Sequence, residues 1–161
     1  MKNWTRLVIV FAFALGVSCN FQTRAANVLS AEDETKIRNI NKSYVSGWLS
    51  SNQLEVLDLF LDDATIVPSG MAPKKGKNAL KEFWLPNDDS ETTIHNYDVE
   101  ILDLQGSGNL AVTLERGSLS FSFKKGDFQI SRQSQAHATT VYEQQAGGEW
   151  KIRTRMWTDI K

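Results

Sequence analysis

The chain has 161 residues, with 18 basic and 19 acidic side chains and a single cysteine. That length suits one domain, and no internal linker or repeat divides it. The chain has no excess of basic residues of the kind phosphate contacts need, and the residues from Asn27 onward are net acidic, which argues against a nucleic-acid partner.

The first stretch differs in kind from the rest. Lys2 and Arg6 precede an uncharged apolar run, Leu7 to Val17, that is short for a bilayer span, so residues 1–26 read as a signal peptide. Two processing sites are open. Cys19 follows Leu15, Gly16, Val17 and Ser18 in a loose version of a bacterial lipoprotein site; lipidation there would make a membrane-anchored lipoprotein, with Cys19 as the only membrane contact. Alternatively Thr23, Arg24 and Ala25 suit a general signal peptidase, which would release a periplasmic or secreted protein from Ala26. From Asn27 onward there is no cysteine and hence no disulfide, so the core alone must hold the domain. Without Lys2, Arg6 and Arg24 the basic count falls from 18 to 15 against 19 acidic residues, a net charge of −4.

Between Ala31 and Leu49, Ile37, Ile40, Tyr44, Val45, Trp48 and Leu49 recur at helical intervals, with Ser30 as N-cap and Asp33 three residues on. Leu54, Leu57, Phe60 and Leu61 predict a second helix ending at Asp62 and Asp63, followed by a short strand from Ala64 to Pro68. Pro68 to Lys77 reads as a loop, and a third helix is expected from about Asn78 to Leu85. Beyond Pro86 the pattern is one of antiparallel strands: Tyr97, Val99 and Ile101 alternate, then Val112 and Leu114, then Leu119, Phe121 and Phe123. The apolar set moves from even to odd numbers near Gly117, which predicts a bulge there. Turns at Lys124 to Asp127 and Ala146 to Gly148 leave two more strands, Phe128 to Gln144 and Trp150 to Ile160.

Three local patterns carry a resemblance. Tyr44 and Trp48 are followed by Asn52, the stretch LDLFLDDA (57–64) and then TIVPSG; Ala111 is followed by Gly117; and GGEWKIRTRMWT (147–158) closes the chain. Together they resemble the SnoaL-like and ketosteroid-isomerase-like proteins of the nuclear transport factor 2-like superfamily, over about Glu34 to Ile160. The resemblance implies one α+β domain from residue 27 to 161: a cone-shaped fold with three N-terminal helices packed on a strongly bent, mainly antiparallel sheet around a pocket. It also implies that Tyr44 matches the tyrosine that donates to the substrate oxyanion in ketosteroid isomerases. The matching base position is Pro68, preceded by Val67, and the second oxyanion acid falls near Thr139 or Thr140. None of these moves a proton as a carboxylate does, so the isomerase chemistry is not expected to carry over.

The expected pocket residues follow from strand parity and this resemblance. Tyr44 and Trp48 serve either as core aromatics or as a pocket wall, with Met71 and Trp84 closing the same space. His95 shares parity with Tyr97, and His137 with Thr139, which would direct both into the cone; Glu115 is an inward acid beside the expected bulge. On the last strand Thr154, Met156 and Thr158 share a face with Trp150 and Ile152 and are expected to line the concave side, leaving Lys151, Arg153, Arg155 and Trp157 outside. No metal-ligand spacing is present and no cofactor is implied. Three functions remain open: binding of a small apolar molecule; an isomerase, cyclase or lyase using His95, His137 or Glu115 as base; and an interaction module that pairs two copies through the sheet, as a homodimer.

Overall fold

The computed structural model describes residues 28–160; the signal peptide and Cys19 of the sequence reading lie outside them. Helix α1 (Ala31–Leu49) begins where Ser30 accepts the Asp33 backbone N–H at 3.1 Å and returns its hydroxyl proton to the Asp33 carboxylate at 2.7 Å. This reciprocal cap satisfies a backbone donor that the helix leaves free, a contribution of about 1 kcal/mol. Helix α2 (Gln53–Asp58) is capped in turn by Asn52. It stops earlier than the apolar spacing predicts. Phe60 and Leu61 instead open strand β1 (Phe60–Val67), because the neighbouring strand's Ile152 N–H captures Leu59 O at 2.8 Å and turns the chain into the sheet. Within the expected loop, Lys74–Lys75 forms a short strand β2 against β1; α3 (Lys77–Trp84) follows.

Three long strands and one shorter one complete the fold: β3 (Ser90–Ser107), β4 (Leu110–Lys125), β5 (Phe128–Gln144) and β6 (Trp150–Asp159). They form a six-stranded mixed sheet in the order β2-β1-β6-β5-β4-β3, antiparallel except where β1 runs parallel to β6. The β4–β5 turn is a two-residue connection whose first member, Gly126, sits at φ 55°, a conformation that side-chain-bearing residues avoid. The architecture is the expected α+β one, with three helices against the concave face of a bent sheet.

The bends fall elsewhere than the sequence pattern suggests. Gly117 pairs with Val99 and Ala136 in unbroken register; the irregularities of β3 lie at His95 and Leu102, and β6 carries an extra residue at Arg153 opposite Val141 and Tyr142. No slip is needed in β4, because its odd residues face inward throughout, from Ala111 to Phe123. Val112 and Leu114 are apolar but face outward, 39% and 46% exposed. The core lies between α1 and the sheet, where Ile37, Val56, Phe60, Ile66, Leu80, Tyr142 and Ile152 are all but fully buried.

Candidate functional site

The concave face is only partly filled. On β4 and β5 the inward positions Gly117, Ala136 and Ala138 carry too little side chain to meet the helices, and an open cavity of about 670 Å³ remains above them. Its helical wall is built from Trp48, Phe83 and Trp84, with Leu85 and Pro86 at the rim. The sheet contributes Tyr97, Leu119, Phe121, Phe123 and Trp157.

The rings brace one another. Trp48 meets Trp84 nearly perpendicularly at 5.3 Å between centroids, Tyr44 meets Trp48 at 6.2 Å, and Tyr44 meets Tyr97 at 6.0 Å. Such edge-to-face and tilted contacts stabilise the wall in addition to the area they bury. At the floor, Arg155 projects inward from β6 with its Nη1 donating to Glu115 Oε2 and to Thr140 Oγ1, each at 2.6 Å. The pair is almost dry, with side chains 5% and 0% exposed. Thr113 donates to the other Glu115 oxygen, and the guanidinium lies 4.6 Å from the centre of the Tyr44 ring.

This floor sets the chemistry available. Burial opposes the Arg155 charge, but Tyr44, Tyr97, Glu115 and Tyr142 around it more than offset that and push its pKa up, so the guanidinium stays charged. Burial also pushes the phenol of Tyr97 far up, assisted by the neighbouring Tyr44 hydroxyl, and burial raises Tyr142 as well. The floor therefore offers fixed hydrogen-bond donors. Its carboxylate, Glu115, is occupied on both oxygens by Thr113 and Arg155. Among the described residues no group of three His, Cys, Asp or Glu side chains is placed to hold a metal ion.

Of the residues expected in the pocket, the structure brings together Tyr44, Trp48, Trp84 and Tyr97 on the cavity wall and sets Glu115 beneath it. The others lie elsewhere. His95 is the extra residue of a β3 irregularity, so its parity is reversed; it is exposed, with Nε2 2.9 Å from Ser122 Oγ. His137 pairs with Arg116 and Thr158 on the outer face and is exposed. The extra residue at Arg153 moves Thr154, Met156 and Thr158 outward and brings Arg155 and Trp157 inward, the reverse of the expected assignment beyond Ile152. Met71 stands on the turn after β1, 48% exposed and away from the cavity. The residues missed by sequence reasoning, Arg155 and Trp157 above all, carry no local mark, since neither Gly nor Pro announces the irregularity at Arg153. Phe121 and Phe123 were visible as strand alternation, though not as pocket lining.

No protein-family model matches the chain, and no curated protein matches it by sequence. Solved structures do match. A ketosteroid isomerase-like protein from Erwinia carotovora atroseptica SCRI1043 is similar with a TM-score of 0.68 at 16% identity, covering 82% of this chain and 99% of that one. A protein from Catenulispora acidiphila in complex with S-DNPA has a TM-score of 0.57 at 13% identity over 81% of this chain and 95% of that one. An NTF2-like protein with a cystatin-like fold from Novosphingobium aromaticivorans reaches 0.54 at 17% identity, over 81% of this chain and 83% of that one. With its helices packed on one face of a bent, unclosed sheet, the chain has the cone-shaped, cystatin-like fold of ketosteroid isomerase-like and NTF2-like proteins.

Proposed function

We propose that this is an exported domain that binds one small, largely apolar molecule inside the cone. The observation that carries the reading is the cavity itself: about 670 Å³, walled by aromatic rings that brace each other, and open to solvent on one side. Its polar groups converge at one end, as in sites that fix a ligand's orientation with a few donors. The Catenulispora acidiphila protein of the same fold, solved in complex with S-DNPA, supports a binding reading. The residues raised as bases do not serve a catalytic reading: His95 and His137 face away from the cavity and Glu115 is held by Arg155. By the sequence resemblance, the position matching the isomerases' base is Pro68, which carries no carboxylate. Native mass spectrometry of the full chain, produced in an exporting host, tests both parts. A reproducible extra mass lost on denaturation is expected, as is a mature start at Cys19 or Ala26. Trp48→Ala is expected to weaken binding of the identified ligand at least about tenfold, in line with about 1.4 kcal/mol or more of lost contact; unchanged affinity would overturn the placement.

A second reading concerns the outer face. Met156, Thr139 and Leu114 align across β6, β5 and β4, and Thr154, Val141 and Val112 form the next row. With Val112 39%, Leu114 46% and Met156 49% exposed, the two rows form a mixed band of apolar side chains and threonines on the outer face. Its proposed role is to pair two copies of the chain.

A further inference from the structure

The floor of the cavity holds two opposite charges where an apolar ligand's polar end must lie. Arg155 lines the cavity although its side chain is only 5% exposed. Its hydrogen bonds to described residues run through Nη1 alone, to Glu115 and Thr140, while Nε and Nη2 retain donors. The Tyr44 ring beneath it and the high Tyr97 pKa add a cation–π contact and a phenol that stays protonated.

Charge decides what these donors accept. Arg155 and Glu115 cancel, and their side chains are 5% and 0% exposed, so a ligand carboxylate lying against them would be a third, uncompensated charge taken out of water, which is costly. The rest of the lining brings no net cation, since besides Arg155 its charged residues are Arg132, Glu91 and Asp159. A ligand ammonium would meet Arg155 directly. We propose, resting on the binding reading above, that Arg155 and its counter-ion Glu115 make the cavity select an uncharged ligand carrying a hydrogen-bond acceptor, such as an amide or ketone, over a carboxylate or an amine of the same shape. Arg155 is then the ligand-orienting residue, and Glu115 the positioning residue that keeps the floor neutral.

A matched pair of probes tests this: 2-naphthamide and 2-naphthoate, nearly identical in shape and differing by one charge at pH 7. Binding of each to the full chain is measured by calorimetry, and loss of binding in Trp48→Ala places the probe in the cavity that Trp48 lines. The wild-type protein is expected to favour the amide at least tenfold. Glu115→Gln keeps an oxygen for Arg155 and leaves the floor with a net positive charge, so the preference is expected to shrink tenfold or to reverse. Equal or better binding of the naphthoate by the wild type overturns the inference and leaves the binding reading standing; it needs no variant to fold. An unchanged ratio in a folded Glu115→Gln protein, checked by near-ultraviolet circular dichroism, also overturns it. Binding of neither probe to the wild type overturns the cavity as a small-molecule site, and the inference with it.

Discussion

Arg155 and Glu115 bring two full charges to nearly inaccessible positions, their side chains 5% and 0% exposed, and each is tolerable only because the other is there. Removing one partner leaves the other charged and unpaired, which costs far more than the pair contributes. Arg155→Ala is therefore expected to lower unfolding stability by about 3–5 kcal/mol, whereas Arg155→Met combined with Glu115→Leu is expected to recover most of that loss. Urea denaturation of the two variants checks the contrast; equal losses would mean that the guanidinium acts mainly through packing on Tyr44. At the surface the same physics is weaker. Lys125, donating at 2.7 Å, and the Ser90 hydroxyl and backbone N–H hold the Asp88 carboxyl down at about 2. A carboxyl depressed in the folded state favours folding above its ordinary pKa of 3.8, and that contribution is lost as pH falls through about 2. Since the pair is exposed, the effect on stability is small. An NMR titration is expected to place the Asp88 midpoint near 2, and Lys125→Ala to return it towards 3.8.

The elements meet at a few positions that admit no extra atom. Gly47 is buried in α1 where α2 crosses it, and a Cβ added there would lie 2.7 Å from Val56 Cγ2. Alanine is the better helix former by about 1 kcal/mol, but overpacking of a filled contact costs about 1–3 kcal/mol. Because Val56 is fully buried, Gly47→Ala is expected to destabilise by up to about 2 kcal/mol net. A denaturation midpoint at or above that of the wild type would show that α2 shifts to make room. In the sheet the decisive unit is the single extra residue at Arg153. Before it, Trp150 and Ile152 face inward and complete the core; after it, Arg155 and Trp157 take that face and build the site. One residue thus joins a strand end that serves stability to one that serves the cavity.

At the scale of the whole molecule, the sheet has two uses because its faces differ. The concave face is closed by helices near α1 and open beyond the short side chains of Gly117 and Ala136, and the convex face presents the Leu114, Val112 and Met156 band. If that band pairs two copies, Val112→Lys together with Leu114→Lys is expected to convert a dimer into a monomer in sedimentation velocity, with probe binding in the cone retained. A wild-type protein that sediments as a monomer at tens of micromolar would overturn the pairing. Cavity and band lie on opposite faces, so the two readings are separable by experiment.

What the sequence by itself determined is the local and the additive: helical spacing in α1, its Ser30 cap, the succession of strands and turns, and with them the α+β class. These follow from propensity, capping and period, all of which act over a few residues. The aromatic wall was half legible, since Tyr44, Trp48 and Trp84 lie on helices whose inward faces the spacing reveals. Only the tertiary structure decided where Phe60 leaves the helical pattern for the sheet, and which face each strand residue takes beyond an irregularity. The reason is that strand parity has a period of two, so one unmarked extra residue, at His95 or Arg153, inverts everything after it. Arg155 enters the interior by that inversion, and Glu115, at 0% exposure, is there to meet it.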